Sequence, residues 1–156
     1  MLSYYRNNLT HCFLPEAFIG CVMASFGEQL STQEGVEPER VKQLCIFLMG
    51  LLKNEYFIDY RLESLAAFDQ TVAVMKENGI LDQLDSGKLI VGKHGMRMIG
   101  FLCSLLRSQI ESYWASLVYI LSIARTQERK YETTSLDKFY DTVQWFMESL
   151  YGEKVV

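Results

Sequence analysis

With two histidines, two prolines and four cysteines in 156 residues, the chain is poor in the groups that announce metal or covalent chemistry. Cys12, Cys21, Cys45 and Cys103 form no Cys-x-x-Cys pair and lie in apolar surroundings, and only His11 and His94 could join them around a metal. A zinc site and a disulfide framework are both disfavoured, no metal ligand is assigned, and the thiols read as small core hydrophobes. Fifteen basic residues against nineteen acidic ones, with no cationic run beyond Arg129-Lys130, leave no electrostatic footprint for a phosphate backbone, so nucleic acid is not expected as a partner. A glycine-rich phosphate loop, a Gly-x-Ser-x-Gly elbow and a pair of histidines at helical spacing are missing too. No catalytic residue and no cofactor is assigned.

Long uncharged runs are also lacking. Leu9 to Phe26 contains Thr10, His11, Pro15 and Glu16, and Ile99 to Ile123 is interrupted by Arg107, Gln109 and Glu111, whereas a spanning helix needs about 20 nearly uncharged residues. Met1-Leu2-Ser3-Tyr4-Tyr5-Arg6 has neither the basic leader nor the small-residue cleavage site of a secretory signal. The expectation is a soluble chain with no signal peptide and no transmembrane helix.

What the chain does have is 49% hydrophobic and 22% charged residues, the composition of one globular domain, here residues 1–156. Tyr5 to Phe26 is apolar almost all round, which predicts a helix kinked or restarted at Pro15. Pro38, between Glu37 and Glu39, stands where a first helical residue is tolerated, and Val41, Leu44, Cys45, Leu48, Leu51 and Leu52 follow at helical spacing. Leu65, Phe68, Val72 and Met75 predict a third helix ended by Asn78-Gly79. Ile80 to Leu84 and Leu89 to Gly92, around Asp85-Ser86-Gly87-Lys88, read as a small hairpin. From Met98, the stripe Leu102, Leu105, Leu106, Ile110, Tyr113, Trp114, Leu117 and Leu121 predicts a long central helix. Thr134 to Asp137 has capping-box spacing before a last helix whose apolar face carries Leu136, Phe139, Tyr140, Val143, Phe146, Met147 and Leu150. The fold class is all-α: about five helices and one small hairpin, with a winged-helix-like unit around residues 38–92. Trp114 and Trp145 fall on the stripes and are expected in the core. Leu9, Phe13, Phe18, Ile19, Val22 and Phe26 surround the first helix, so some are expected to remain exposed as a docking face.

His11 and Glu16 are the nearest approach to a base–acid pair, but five residues in a straight helix set them some 140 degrees apart. Arg6, Asn7 and His11 form the one polar patch on the first helix, facing either water or a partner domain or anion. These three are the candidate interdomain or anion contact.

The linear signature carries more. Ser3-Tyr4-Tyr5-Arg6-Asn7-Asn8-Leu9 with His11-Cys12-Phe13, then Asn54-Glu55-Tyr56-Phe57-Ile58, Asn78-Gly79-Ile80-Leu81 and Ile110-Glu111-Ser112-Tyr113-Trp114 resemble, in order and spacing over residues 3 to 121, the region following the catalytic domain in glycerol-3-phosphate and dihydroxyacetone-phosphate O-acyltransferases. The family's catalytic His-x-x-x-x-Asp and phosphate-binding Phe-Pro-Glu-Gly blocks precede the Tyr-Arg-Asn segment at which this chain begins. His11 has Glu16 at the matching offset, His94 has Ile99, and Leu14-Pro15-Glu16-Ala17 lacks the glycine that would let backbone approach phosphate.

The resemblance therefore implies a non-catalytic C-terminal fragment of such an enzyme of glycerolipid or ether-lipid synthesis. Its partner would be the missing catalytic acyltransferase domain. Through the parent enzyme it would meet a membrane surface, in the bacterial envelope, at the mitochondrial outer membrane or at the peroxisome. The gap between third helix and hairpin leans toward the dihydroxyacetone-phosphate branch. A reading of another class is a free-standing helical adaptor that binds a protein partner through the winged-helix-like unit.

Overall fold

The computed structural model describes residues 10–27, 34–56, 65–126 and 135–151. They form helices α1 (Leu14–Ser25), α2 (Pro38–Leu52), α3 (Leu65–Glu77), α4 (Gly95–Thr126) and α5 (Leu136–Tyr151), with strands β1 (Leu81–Gln83) and β2 (Leu89–Val91) between α3 and α4. The chain divides into two compact units, residues 1–107 and 108–156, and α4 runs from the first into the second.

The first helix restarts at Pro15, as its sequence predicts. Residues 10–12 are helical, Phe13 is a turn, and α1 begins at Leu14 with Pro15 in its first turn, where a missing N–H costs no intrahelical bond. Leu14, Ala17, Phe18, Ile19, Val22 and Met23 are all buried, and α1 packs against α2 and α3. The expected docking face narrows here. Of the residues proposed for it, Phe18, Ile19 and Val22 are core, Phe13 alone is exposed, Phe26 lies half-buried under the Arg40 guanidinium at 5.2 Å, and Leu9 falls outside the described residues. A helix apolar on every side is the right material for the centre of a unit, and α1 takes the place expected of the long helix.

Helix α2 starts at Pro38 and buries Val41, Lys42, Cys45, Met49 and Leu52. The buried stripe is thus rotated from the predicted one. Leu44 is exposed, Lys42 lays its aliphatic stem inward as long cationic chains do, and Phe47 stands 69% exposed. Helix α3 buries Phe68 and Met75. It ends in a Schellman motif, in which Ile80 N–H donates to the Met75 carbonyl at 2.9 Å and Gly79 N–H to that of Lys76 at 2.9 Å, with Gly79 at φ 65.

The strands pair antiparallel with Leu81 opposite Val91 and Gln83 opposite Leu89. Their loop closes with Gly87 N–H on the Leu84 carbonyl at 2.8 Å and Gly87 at φ 86, the left-handed residue that a three-residue hairpin loop requires. Val36 adds a single bridge to the other edge of β2, exchanging two 2.8 Å backbone bonds with Leu89. Helix, bridge strand, two helices and a hairpin is the order of a winged-helix unit. It extends the predicted 38–92 at its front, to α1 and Val36.

In the second unit, Phe139 stacks against Tyr119 at 5.4 Å and Trp114 against Phe146 at 6.1 Å. The two tryptophans are not core residues. Trp114 is 50% and Trp145 66% exposed, and Leu117, Leu121, Leu136 and Tyr140 are exposed with them. Helical spacing identifies a face but not what covers it, and α4 and α5 have more apolar face than two helices can bury in each other. The cap of α5 also shifts by one residue. Ser135 Oγ accepts from Lys138 N–H at 3.3 Å, while Thr134 lies outside the described residues.

Candidate functional site

The site expected at Arg6, Asn7 and His11 is described at its third member, because Arg6 and Asn7 lie outside the described residues. His11 is exposed, and its ring meets Tyr56 edge-on at 6.1 Å. Tyr56 is buried, and its hydroxyl donates to the Leu105 carbonyl of α4 at 3.4 Å. Two segments that carry the sequence resemblance, one around His11 and one around Tyr56, therefore meet on α4. Glu16 does not complete an acid–base pair with His11: its Oε2 is buried with no hydrogen-bond partner among the described residues.

Beside His11 the surface continues through Phe13, which packs edge-on against Phe101 of α4 at 6.4 Å. Phe101 belongs to an open depression of about 820 Å³ lined by Lys93, His94, Met96, Arg97 and Met98. Met96, Met98 and Phe101 are exposed. The result is an apolar surface bearing cationic side chains at the start of α4, where the helix dipole adds positive potential. Sequence reasoning missed this surface. Its signal was local, in Lys93-His94-Gly95-Met96-Arg97-Met98, where basic and apolar residues alternate without helical period.

A second depression lies among α1, α2 and α3, lined by Pro15, Phe18, Ile19, Lys42, Cys45 and Phe68, and leaves about 30 Å³ for solvent. That is room for roughly two waters. Among the described residues no group of three or more His, Cys, Asp or Glu side chains is placed to hold a metal ion, and no helix is long and apolar enough to cross a membrane.

Two of the cysteines behave differently from packed hydrophobes. Cys21 on α1 and Cys103 on α4 are both half-buried, and each is the leading influence on the other's ionisation. Cys103 is pulled down to about 7 because Cys21 donates to its thiolate, while that bond and burial push Cys21 up. Burial alone pushes the Cys45 thiol up to about 12. Cys12 is exposed.

The glycerol-3-phosphate acyltransferase C-terminal region family matches the chain over residues 1–156. Among curated proteins, the chain is 23% identical over 137 residues to a glycerol-3-phosphate acyltransferase of Aeromonas hydrophila subsp. hydrophila, which covers 87% of this chain and 16% of that protein. The chain thus spans about one sixth of the length of that relative. No solved structure matches. Together with the order of the Tyr-Arg-Asn, Asn-Glu-Tyr, Asn-Gly-Ile and Tyr-Trp segments, these matches identify the chain as a member of the glycerol-3-phosphate acyltransferase C-terminal region family.

Proposed function

We propose that the chain is the accessory C-terminal part of a glycerolipid acyltransferase, without acyl-transfer chemistry of its own, and that the surface at His11, Phe13, Phe101 and Arg97 meets the catalytic domain of that enzyme. The observation that carries this reading is the family match, which is to a C-terminal region, together with the one-sixth share of the relative's length. Acyl transfer needs a positioned base and an anion site that stabilise the transition state more than the substrate. His11, set edge-on to Tyr56 and with no hydrogen bond to the buried Glu16 Oε2, supplies neither as described. Arg6, Asn7 and His11 are read as polar members of the interdomain contact, and Phe13 with Phe101 as apolar ones. Membrane association belongs to the parent enzyme in this reading, and the acceptor is a three-carbon phosphate.

Purified chain incubated with acyl-CoA and either glycerol 3-phosphate or dihydroxyacetone phosphate should release no more CoA than a protein-free blank. Turnover that disappears in His11→Ala would overturn the proposal and make His11 a base. Arg97→Glu with Phe101→Ser should leave the melting temperature of the isolated chain within about 2 °C, as exposed positions do, and should weaken its association with a separately expressed catalytic part of the parent enzyme. Unchanged association would remove this surface from the contact.

A further inference from the structure

We infer that Cys21 and Cys103 form a peroxide-responsive thiol pair, in which oxidation by a hydroperoxide joins α1 to α4 through a disulfide. Three observations bring the two sulfurs together. Helices α1 and α4 approach so closely at Gly20 that a Cβ there would stand 3.1 Å from the Leu102 Cβ and 3.9 Å from the Ile99 carbonyl oxygen. Cys21 and Cys103 each follow the contact residue by one position, on the same pair of helices. Each thiol is the leading influence on the other's ionisation, and both residues are half-buried, open enough for a small oxidant.

The surroundings set the direction of the chemistry. The thiolate is the nucleophile, and a cysteine held near pH 7 is ionised to about one half where an ordinary one is ionised to a few per cent. Cys103 attacks, and Cys21, which keeps its proton, resolves. The Cys103 sulfur takes one peroxide oxygen as the O–O bond breaks, giving a sulfenic acid and an alcohol that gains its proton from solvent. The Cys21 sulfur then displaces hydroxide from Cys103 and its proton converts that hydroxide to water. Two thiols and one hydroperoxide thus become one disulfide, one alcohol and one water. Cys45 lies close enough to Cys21 to influence it, but it is fully buried and strongly biased to the neutral thiol.

The test is oxidation of the purified chain by a few equivalents of hydrogen peroxide, alkylation with N-ethylmaleimide and peptide mapping without reductant. A Cys21–Cys103 cross-linked peptide is expected, with thiol loss that has its midpoint near pH 7 and a melting temperature raised by about 10 °C that dithiothreitol reverses, because the bond closes a long loop. In Cys21→Ser the sulfenic acid should persist on Cys103 and be trapped by dimedone. In Cys103→Ser the loss of thiol at pH 7 should slow roughly tenfold. A Cys21–Cys45 bond as the main product would overturn the inference, as would absence of both the cross-link in the parent chain and the dimedone adduct in Cys21→Ser.

Discussion

Gly95→Ala should cost the fold about 3–5 kcal/mol, read as a fall of the urea midpoint with an unchanged slope. Gly95 opens α4, and its N–H donates to the Gly92 carbonyl at 2.8 Å. A Cβ on Gly95 would run into the carbonyl of Ile80 and come within 2.8 Å of Val91 Cγ1. That same Ile80 carbonyl accepts from Gly92 N–H at 2.9 Å, so the obstacle is a backbone group committed to the hairpin and not the end of a flexible side chain. Relief requires moving either the start of a 32-residue helix or the strand leaving the Schellman turn. Each move breaks a backbone bond at a half-buried junction, and overpacking of this kind has no rotamer escape. Gly100→Ala is the control. A Cβ there meets nothing within 4 Å, and alanine is the better helix former, so stability should rise by up to about 1 kcal/mol. Equal losses at both positions would mean that helix propensity, not the hairpin contact, governs Gly95.

The features legible in the sequence are those fixed by a residue's own backbone chemistry. Pro38 can open a helix and cannot continue one, and α2 opens there. Asn78-Gly79 closes α3 because glycine tolerates the left-handed conformation, and Asp85-Ser86-Gly87 turns the hairpin for the same reason. The features that escaped are those decided by what lies opposite. Helical spacing marked Leu44 as inward, yet α1 packs on α2 and the buried face is centred on Val41, Cys45 and Met49, which brings Lys42 in and turns Leu44 and Phe47 out. Val36 pairs with Leu89 through a single residue, too short a strand to show alternation. The Cys21–Cys103 contact joins positions 82 residues apart in number, and no local spacing encodes it. Of the candidate site, His11 was legible as a polar residue on an apolar segment. Its support by Tyr56 and the Phe13–Phe101 extension depend on where α4 passes.

Phe13→Ser and Phe18→Ser, five residues apart, should have opposite consequences, although a sequence reading places both on one docking face. Phe18 is 1% exposed in the middle of α1 and also lines the small depression toward Lys42 and Phe68. Removing its ring opens a cavity among three helices and puts a hydroxyl into it, at a cost of about 4 kcal/mol or more. For a chain with roughly 5–15 kcal/mol of total stability, that is enough to leave much of it unfolded at 37 °C. Phe13 is 39% exposed at the residue preceding α1, where it contributes its carbonyl to Ala17 N–H at 2.8 Å and its ring to the edge-on contact with Phe101. Serine keeps the carbonyl and adds a side-chain acceptor at a helix-capping position that now has none. The capping gain and the lost aromatic contact are each about 1 kcal/mol, so the urea midpoint should scarcely move, while exposed apolar area and the tendency to self-associate fall. Urea midpoints and light scattering of the two variants, measured separately, decide the matter. A stable Phe18→Ser would return that residue to the surface and restore a docking face on α1, whereas a collapse confined to Phe18→Ser leaves the Phe13–Phe101 surface as the exposed apolar contact of this end of the chain.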